Sequence, residues 1–303
     1  MLDRLAKPKW LKVPLPNSPR YHAMKVRAES LKLATVCQEA RCPNIGECWS
    51  AGTATFMVMG DTCTRACRFC AVKTAKNPGF LDTNEPENLA TAVEQMALDY
   101  IVVTSVDRDD LPDAGGGHFA ACITAVRQRC PDTRVEVLTP DFDGNIKHLA
   151  QVIDAKPDVF GHNIETVERL TPRVRDPRST YRKSLSVLKM AKQLNPGQLT
   201  KSSIMVGVGE TPDEVLEAMA DLRQNGVDFL TIGQYLRPSR RHLPITEYIQ
   251  PTQFEKYKER GLEMGFKFVA SGPLVRSSYR AGEYFIHEYL ETHRPVQQPG
   301  GIR

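Results

Sequence analysis

The sequence lacks the features that would assign it to a membrane, secreted or fibrous class. No stretch of its 303 residues approaches the roughly 18 consecutive apolar residues that a membrane-spanning helix needs. Residues 1–9 hold no apolar run that would serve as a secretory signal. With 41% apolar and 25% charged residues, collagen-like and wholly disordered chains are also excluded. We therefore expect a globular protein with a cytoplasmic location and no membrane partner.

An excess of charge of one sign is also missing. The formal net charge is only +4 and aromatic residues are 7% of the chain, which argues against a nucleic-acid partner. Residues 1–36 nevertheless hold eight basic and two acidic residues, a net +6 that leaves −2 for the remainder. The basic residues are Arg4, Lys7, Lys9, Lys12, Arg20, Lys25, Arg27 and Lys32. This basic arm predicts attraction to an acidic partner, with a solvated tail as the alternative.

Cysteine is too sparse for a disulfide scaffold but is strongly clustered. Six of the eight cysteines fall within 34 residues: Cys37, Cys42, Cys48, Cys63, Cys67 and Cys70. Without a secretion signal we expect these thiols to be reduced, so that metal or redox chemistry is the prediction. Cys122 and Cys130 lie in an apolar, helix-like stretch and are predicted to be packing residues.

Short apolar runs flanked by turn residues predict seven buried strands that alternate with helices. The predicted strands are Thr55–Gly60, Tyr100–Ser105, Arg134–Leu138, Asp158–Ile164, Lys201–Val206, Asp228–Ile232 and Phe266–Ala270. The predicted helices are Asn88–Leu98, Gly117–Arg129, Ile146–Ala155, Ser179–Leu194, Pro212–Asn225 and Gln253–Met264. Thr211 and Glu214 have the spacing of a capping box at the start of one of them.

This alternation predicts an α/β fold, namely a partial or complete parallel (β/α) barrel with N- and C-terminal extensions. An open doubly wound sheet is the alternative. We expect three regions: a basic arm and first cysteine group at 1–54, the barrel at 55–272, and a C-terminal extension at 273–303. In either architecture the chemistry belongs at the carboxyl ends of the strands, where the second cysteine group and several polar loops fall.

Each cysteine group contains three thiols, one fewer than a structural zinc site requires. The second group, Cys63, Cys67 and Cys70, has the spacing C-x3-C-x2-C in a loop that leaves a strand. Three thiolates can hold a [4Fe–4S] cluster and leave one iron open to a small molecule. The first group has the spacing C-x4-C-x5-C. A single zinc site that draws four ligands from the six cysteines is the alternative, but it leaves two thiols without a role.

These motifs resemble those of a known family. The C-x3-C-x-aromatic-C triplet, with Phe69, is similar to the signature of the radical S-adenosylmethionine (SAM) superfamily, and C-x4-C-x5-C upstream resembles lipoyl synthases. Further matching segments are Thr104–Gly117, Gly161–Val167, Met205–Glu210, Thr231–Pro238 and Arg276–Tyr279. The resemblance covers residues 30–285, nearly the whole chain, and implies a barrel of the radical SAM type.

The resemblance implies a radical SAM sulfurtransferase of lipoate biosynthesis, with two [4Fe–4S] clusters. Cys63, Cys67 and Cys70 would hold the cluster that binds and cleaves SAM to give a 5′-deoxyadenosyl radical. Cys37, Cys42 and Cys48 would hold an auxiliary cluster that donates sulfur, with Ser278, or alternatively Ser277, as its fourth ligand. Two sulfur atoms would enter at carbons 6 and 8 of an octanoyl group on a carrier-protein lysine, positions without an acidic hydrogen for a base to remove.

The resemblance also implies protein partners: an octanoylated lipoyl carrier protein or domain, a one-electron reductant such as ferredoxin or flavodoxin, and iron–sulfur assembly factors. Three competing functions remain open from the residues alone. These are a zinc-stabilised nucleic-acid-binding module, another radical SAM enzyme that inserts sulfur or transfers a methylthio group, and a simple electron carrier. The spacing of the thiols in threes and the size of the chain favour the family resemblance over each.

Other polar residues at strand ends are weaker candidates. Asn163 and Glu165 are expected to bind the SAM ribose or amino group, with a helix cap as the alternative. For Asp107, Asp109 and Asp110, turn capping and pairing with Arg108 are favoured over an acid–base role. His162 has no second histidine at ligand spacing and is predicted to be structural. The glycines at 115–117 suit either a flexible turn or close approach to a cofactor, and Gly207 and Gly209 do not form a dinucleotide fingerprint.

Overall fold

A computed structural model describes residues 6–13, 18–30, 34–39, 42, 44–50, 54–278, 286, 289–290 and 292. Its strands are β1 Ala34–Thr35, β2 Thr55–Val58, β3 Thr62–Cys63, β4 Lys73–Thr74, β5 Tyr100–Ser105, β6 Arg134–Leu138, β7 Val159–Gly161, β8 Leu199–Val206, β9 Phe229–Gln234 and β10 Phe268–Gly272. Its α-helices are α1 Pro19–Ser30, α2 Val36–Glu39, α3 Ile45–Ser50, α4 Glu85–Met96, α5 Gly116–Arg129, α6 Ile146–Asp154, α7 Thr171–Val174, α8 Tyr181–Leu194, α9 Pro212–Gln224 and α10 Pro251–Glu263.

The main sheet has seven parallel strands, which lie side by side in their order along the chain, β2-β5-β6-β7-β8-β9-β10. A doubly wound sheet reverses its strand order at a switch point, and this sheet does not. Among the described residues β2 and β10 do not pair with each other, so the barrel is open on one side. The predicted parallel (β/α) barrel is confirmed in its partial form.

The alternation of side chains along each strand builds two separate apolar layers. Outward-facing residues such as Ile101, Val103 and Val137 are fully buried against the surrounding helices. Inward-facing Val102, Val159 and Phe229 form a second cluster with Ile286. Because successive strand residues point to opposite faces, apolar runs without interruption are what a sheet buried on both faces requires.

A buried ion pair lies in the barrel interior. The Lys201 ammonium contacts both carboxylate oxygens of Glu136, at 2.8 and 3.0 Å, and the Tyr100 hydroxyl donates to the same carboxylate at 2.6 Å. All three side chains belong to strands and are nearly inaccessible to water. The hydrogen bonds offset the cost of burying the two charges.

Local sequence rules explain most helix starts. Thr211 and Glu214 form the predicted capping box, and the side chains of Asn145 and Thr180 accept backbone N–H bonds at the starts of α6 and α8. Helix α4 begins at Glu85, three residues before the predicted start, because Pro86 is well suited to the first helical turn. No helix of the described part of the chain is both long and apolar enough to cross a membrane.

The lead-in to the barrel contains more order than the sequence predicts. Strand β1 pairs with β2 in the antiparallel direction and extends the sheet by one short strand. Tyr21 of α1 packs against the buried Trp49 of α3, with ring centroids 5.4 Å apart. The strand pair therefore attaches the lead-in to the barrel, and the aromatic contact joins two helices within the lead-in.

Candidate active site

A cavity of about 560 Å³ opens at the carboxyl ends of the parallel strands. Its wall brings together residues that follow five of the seven parallel strands, together with the second cysteine group and Cys42 of the first. The predicted site residues on this wall are Cys42, Cys63, Cys67, Cys70, Asn163, Glu165, Ser277 and Ser278. A ligand-sized cavity at this end of a parallel barrel is the expected place for an active site.

The loop that carries the second cysteine group is closed by a small two-stranded sheet. Strands β3 and β4 pair in parallel at its base, and the Ala75 amide donates to the Cys63 carbonyl at 3.0 Å. Backbone amides are directed at the sulfur atoms. The N–H groups of Arg65 and Asp107 lie 3.4 and 3.3 Å from the Cys63 sulfur, and that of Asp176 lies 3.4 Å from the Cys67 sulfur. Amide donors of this kind favour thiolates, and hydrogen bonds to the sulfurs also tune the potential of iron–sulfur clusters.

A buried arginine within the same loop holds it in place. The guanidinium of Arg65 contacts Asp109 at 2.7 Å, Asp141 at 2.7 Å and the Ser179 hydroxyl at 3.0 Å. The side chain of Arg65 is 2% exposed and that of Asp141 is fully buried. This network connects the cysteine loop to the loops that follow β5 and β6, and no sequence pattern predicted it.

A second, more exposed arginine joins the same loops. Arg178 pairs with Asp176 at 2.9 Å and with Asp109 at 3.0 Å, and it donates to the Thr64 carbonyl at 2.7 Å. Asp176 in turn accepts the Ala66 amide at 2.9 Å. Its hydrogen bonds with Arg178 hold the pKa of the Asp176 carboxyl well below its usual range.

The three aspartates after β5 have different roles. Asp110 pairs with Arg108 at 2.8 Å, as predicted, whereas Asp109 pairs with Arg65 and Arg178. Asp107 lines the cavity, and its carboxylate lies 3.7 Å from the Cys63 sulfur. Burial raises the pKa of Asp107 to about 6, against the opposing effect of Arg65.

Asn163 and Glu165 lie in the loop after β7 and face the cavity together. The Asn163 amide donates to the Glu165 carboxylate at 3.1 Å. Glu165 has a φ of +68°, which is uncommon for a residue other than glycine. Two backbone hydrogen bonds, to Ser203 and Met205 of β8, hold it in this conformation. Backbone strain maintained in this way is often found at functional sites. Neither residue caps a helix, which was the alternative expectation.

A chain of hydrogen bonds behind these residues positions Arg175, which also lines the cavity. The Arg175 guanidinium donates to the Ser184 hydroxyl at 2.7 Å, and Ser184 contacts His162 Nε2 at 2.9 Å. His162 Nδ1 is 2.9 Å from the Thr139 carbonyl, so both ring nitrogens have partners, as expected of a structural histidine. The Nε of Arg175 is buried without a hydrogen-bond partner among the described residues. No local pattern in the sequence indicated a role for Arg175.

One member of the first cysteine group lies on the wall of the same cavity. Cys42 lines the cavity, Cys48 is buried in α3, and the backbone of Cys37 lies in α2, while the side chain of Cys37 is outside the described part of the structure. The buried amide of Asn44 donates to the Leu274 carbonyl at 2.6 Å. This bond joins the first cysteine group to the segment that carries Ser277 and Ser278.

The segment after β10 reaches the cavity by close passage over β9. A Cβ atom added at Gly233 would overlap the Val275 carbonyl oxygen, so glycine permits this approach. Arg276 donates to the Val275 and Gln234 carbonyls at 2.6 and 3.3 Å. Ser277 and Ser278 both line the cavity, whereas Tyr279 lies outside the described residues.

The buried thiols are better suited to ligate an iron–sulfur cluster than to ionise on their own. Burial raises the pKa of Cys63 to about 12 and that of Cys70 to about 11, and it also raises the pKa values of Cys42 and Cys67. Thiols in such surroundings become thiolates when a metal ion supplies positive charge. The seven cysteines whose side chains are described form no disulfide with one another.

The glycines after β5 serve packing. A Cβ atom at Gly115, where φ is +85°, would overlap the Met59 sulfur, and one at Gly116 would lie 2.7 Å from the His148 carbonyl oxygen. These residues form the start of α5 and allow it to approach its neighbours closely. The alternative expectation, approach of the backbone to a cofactor, has no support because the glycines do not line the cavity.

The two remaining cysteines lie apart from the cavity. Cys122 is fully buried in the main core, as predicted, and Cys130 is partly buried against it. Near Cys122, the Glu85 carboxylate accepts the Met59 amide at 2.7 Å and contacts His118 Nε2 at 2.7 Å. Met59 has a φ of +68°, so Glu85 stabilises the turn that leads into the cysteine loop.

Comparisons with sequence families agree with this geometry. Residues 57–222 match the Radical SAM superfamily, and residues 2–42 match the N-terminal domain of lipoyl synthase of the Radical SAM family. Lipoyl synthase from Marinobacter nauticus is 58% identical over 95% of this chain and 83% of its own length. The enzyme from Thermus thermophilus is 56% identical over 92% and 87%, and the mitochondrial lipoyl synthase of Branchiostoma floridae is 56% identical over 96% and 79%.

Solved structures share the fold at low sequence identity. The FeFe-hydrogenase maturase HydG from Carboxydothermus hydrogenoformans has a TM-score of 0.56 at 12% identity, over 87% of this chain and 75% of its own. Methylornithine synthase (PylB) also has a TM-score of 0.56, at 11% identity, over 92% and 88%. At these identities the likeness concerns the fold alone.

Proposed function

The chain belongs to the lipoyl synthase family of the radical SAM superfamily, and from this premise we propose how its residues share the work. Its reaction inserts two sulfur atoms at carbons 6 and 8 of a protein-bound octanoyl-lysine, with SAM and two [4Fe–4S] clusters as cofactors, one of them the sulfur donor. One observation carries the assignment of residues: a single cavity has Cys63, Cys67 and Cys70 on its wall together with Cys42 and the serines at 277 and 278.

We propose that Cys63, Cys67 and Cys70 hold the cluster that binds SAM. Cys37, Cys42 and Cys48 would hold the auxiliary cluster, with Ser278, or alternatively Ser277, as the fourth ligand. When bound, the clusters and SAM supply hydrogen-atom abstraction from unactivated carbon and the sulfur that is inserted. The amide groups directed at Cys63 and Cys67, and the bond from Asn44 to Leu274, support this division.

We propose that Asn163, Glu165 and Arg175 bind the polar groups of SAM. SAM carries an ammonium group, a carboxylate and a ribose, so a cavity wall with a carboxylate, a guanidinium and an amide is complementary to it. Burial raises the pKa of Glu165, and the charge of Arg175 and the amide of Asn163 oppose that shift. A ligand ammonium group beside Glu165 would favour its ionised form further.

The apolar part of the wall is suited to the octanoyl chain. It includes Phe69, Val72, Leu138, Ile204 and Met205. These side chains would hold the alkyl chain in a fixed position and exclude water from reactive species. Orientation matters here because two particular carbons of a flexible chain react.

The substrate of this reaction is an octanoylated protein. We propose that it is a lipoyl carrier protein or domain, that a one-electron donor such as ferredoxin or flavodoxin reduces the enzyme, and that iron–sulfur assembly factors load it. We propose a cytoplasmic location. The division of the chain at residues 54 and 272 likewise remains our proposal, with the radical SAM barrel between the two extensions.

The test is an anaerobic assay with an octanoyl-lysine peptide, SAM and a reductant. We expect brown protein with about eight iron atoms per chain, and a peptide product heavier by two sulfur atoms. Replacing Cys63, Cys67 and Cys70 together, or Cys37, Cys42 and Cys48 together, by alanine should leave about four iron atoms and no product.

Cys130→Ser is the matched control, because Cys130 is a partly exposed thiol away from the cavity, and it should keep all the iron and the activity. Colourless protein containing zinc, or a peptide of unchanged mass, would refute the proposal. Loss of all iron from either triple variant would argue against two separate clusters.

A further inference from the structure

Five basic residues lie on or directly beside segments that line the cavity, and we call them the basic rim: Lys7, Arg68, Arg237, Arg240 and Arg241. Arg68 stands between the cavity-lining residues Cys67 and Phe69, and Arg240 and Arg241 closely follow the lining residue Pro238. All five are exposed. Lys7 and Arg237 also line the cavity itself. None of the five belongs to the set of residues proposed to hold the clusters or SAM.

The arginines of the rim are held by a tight turn. Arg237 Nε donates to the His242 carbonyl at 2.8 Å, and its Nη2 donates to the Arg240 carbonyl. The Leu243 amide then donates to the Arg68 carbonyl at 2.9 Å. This bond joins the turn to the cysteine loop, so the backbone that carries the arginines of the rim is held beside the cavity.

The rim has no internal charge compensation. Within the ranges that the structure describes, no ion pair includes any of its five members. In contrast, three arginines of the loops around the cavity, Arg65, Arg108 and Arg178, each pair with at least one aspartate. Clustered unpaired charges of one sign repel one another and raise the local concentration of opposite charge. This arrangement suits a surface that meets a negatively charged partner.

We propose that the basic rim is the docking surface for an acidic face of the octanoyl-bearing protein domain. The inference rests on the proposed function, because that function requires an alkyl chain to enter the cavity while its folded carrier remains outside. The carrier must therefore sit on the cavity mouth, where the rim lies. Complementary charge at such a contact mainly accelerates association and fixes orientation, and its effect decreases as salt screens it.

The test compares two substrates of the same holoenzyme: an octanoylated lipoyl carrier domain and a short neutral octanoyl-lysine peptide, with dithionite as reductant. The variant Arg240→Glu/Arg241→Glu should raise the KM for the carrier about tenfold at an ionic strength of about 0.1 M. The kcat at saturation and the KM for the peptide should not change. The difference from wild type should shrink at about 1 M salt, where charges more than about 3 Å apart are screened.

Lys256→Glu/Lys258→Glu is the matched control. It makes the same change of net charge on exposed residues of α10, away from the cavity. It should leave the KM for the carrier within about twofold of wild type, because distant exposed charges are screened. The milder variant Arg240→Gln/Arg241→Gln, with iron content as a check of folding, should give a smaller increase in the same direction.

Four results would overturn the inference: an unchanged KM for the carrier, an equal rise in the control variant, an equal loss with carrier and peptide, or a defect that occurs only when a protein reductant replaces dithionite. The last result would assign the rim to the electron donor. Failure of the wild-type enzyme to insert sulfur into either substrate would instead refute the proposed function, so the two failures are distinguishable.

Discussion

At the scale of single residues, the cavity wall contains buried charges whose desolvation cost is offset by neighbouring charges of opposite sign. Arg65 is nearly inaccessible to water but lies against Asp109 and Asp141. Removal of one partner of a buried ion pair typically costs about 3–5 kcal/mol, because the other charge is left uncompensated. The cysteine loop is therefore held by interactions that tolerate little change. Such rigidity is what a site that must present three thiols in fixed geometry requires.

We expect the side-chain oxygen of Ser278, as a ligand of the auxiliary cluster, to determine whether the enzyme turns over. A thiolate is a softer ligand than a serine oxygen and is better matched to an iron–sulfur cluster. Ser278→Cys should therefore keep about eight iron atoms per chain and suppress sulfur insertion, because the cluster would hold its sulfur more firmly. Iron analysis and mass spectrometry of an octanoyl-peptide measure the two effects. Ser277→Cys tests the alternative ligand: it should insert sulfur close to the wild-type rate if Ser278 is the ligand, whereas suppressed insertion by Ser277→Cys alone would assign the role to Ser277. Undiminished insertion by Ser278→Cys would contradict the assignment.

His162 makes the stability of this region depend on pH. Burial and the nearby charge of Arg175 lower the pKa of His162 to about 4, from an ordinary value near 6.5. The folded protein thus favours neutral histidine, so the contribution of His162 to stability is complete above pH 6.5. As the pH falls from 6.5 towards 4, up to about 3 kcal/mol is lost, because the unfolded chain binds the proton more readily.

This effect is measured by anaerobic thermal unfolding between pH 7.5 and 5. The wild-type midpoint should fall over this range by more than the midpoint of His162→Gln, which cannot gain the proton. Carboxylates contribute equally in both proteins, so the difference isolates His162. Parallel curves for the two proteins would show that His162 does not titrate as the structure implies.

The sequence could predict some of these residues and not others. Spacing alone singled out the six cysteines that we propose as cluster ligands, and the absence of a second histidine indicated a structural His162. Arg65 and Arg175 were not predicted to be buried, because arginine is mostly exposed in proteins. Arg65 is buried against Asp141, which is more than 70 residues away in the chain. Arg175 is buried against the hydrogen-bonded pair Ser184 and His162. Burial of a charge is a property of the fold, which no local pattern reports.

At the scale of elements, the active site is assembled from the ends of strands and one long-range bond. The first cysteine group and the C-terminal serines are separated by more than 200 residues of chain, yet Asn44 joins them directly. Asn44 also begins α3, since its carbonyl accepts the Cys48 amide at 2.9 Å. One side chain thus couples the position of a short helix to that of the segment after β10.

Asn44→Leu should therefore weaken the auxiliary half of the site. Leucine has a similar size but no donor, so the Leu274 carbonyl loses its partner. We expect the iron content to fall from about eight towards about four atoms per chain, with SAM cleavage retained and sulfur insertion reduced. Asn145→Ala, which removes the cap of α6 away from the cavity, should leave the iron content unchanged. Full iron content in Asn44→Leu would show that this bond does not support the auxiliary site.

The secondary-structure elements were largely predictable from the sequence, and the differences between predicted and observed strands have physical causes. All seven parallel strands were found, and two of them, β5 and β6, have the predicted bounds. Strand β7 is shorter than predicted because the chain after Gly161 turns away from the sheet to carry His162, Asn163 and Glu165 to the cavity. The two-residue strands β1, β3 and β4 were missed, because they contain too few residues to show any periodicity.

At the scale of the whole molecule, net charge is a poor guide to where a partner binds. The chain carries only +4 overall, and the part after residue 36 is slightly acidic. Four exposed arginines of that part, Arg68, Arg237, Arg240 and Arg241, nevertheless lie on two joined segments beside the cavity. Because screening limits electrostatic attraction to about 10 Å at an ionic strength of 0.1 M, local clusters decide an encounter between proteins. Lys7 belongs to both groups, and we expect the rest of the basic arm and the four arginines of the basic rim to contribute separately to the same association.

Charge reversal in the arm tests that separation. Lys25→Glu/Arg27→Glu/Lys32→Glu should weaken binding of the carrier domain and flatten its dependence on salt, because steering charge has been inverted. The side chain of Lys25 is exposed on α1, whereas Lys32 and the side chain of Arg27 lie outside the described part of the structure.

If arm and rim act independently, the fold-changes in affinity of the arm variant and of Arg240→Glu/Arg241→Glu should multiply when the variants are combined. Titration calorimetry at several salt concentrations measures all three affinities. Unaltered affinity and salt dependence in the arm variant would leave the arm as a solvated tail, whereas a combined effect no larger than that of the rim alone would mean that the two surfaces meet the same charges.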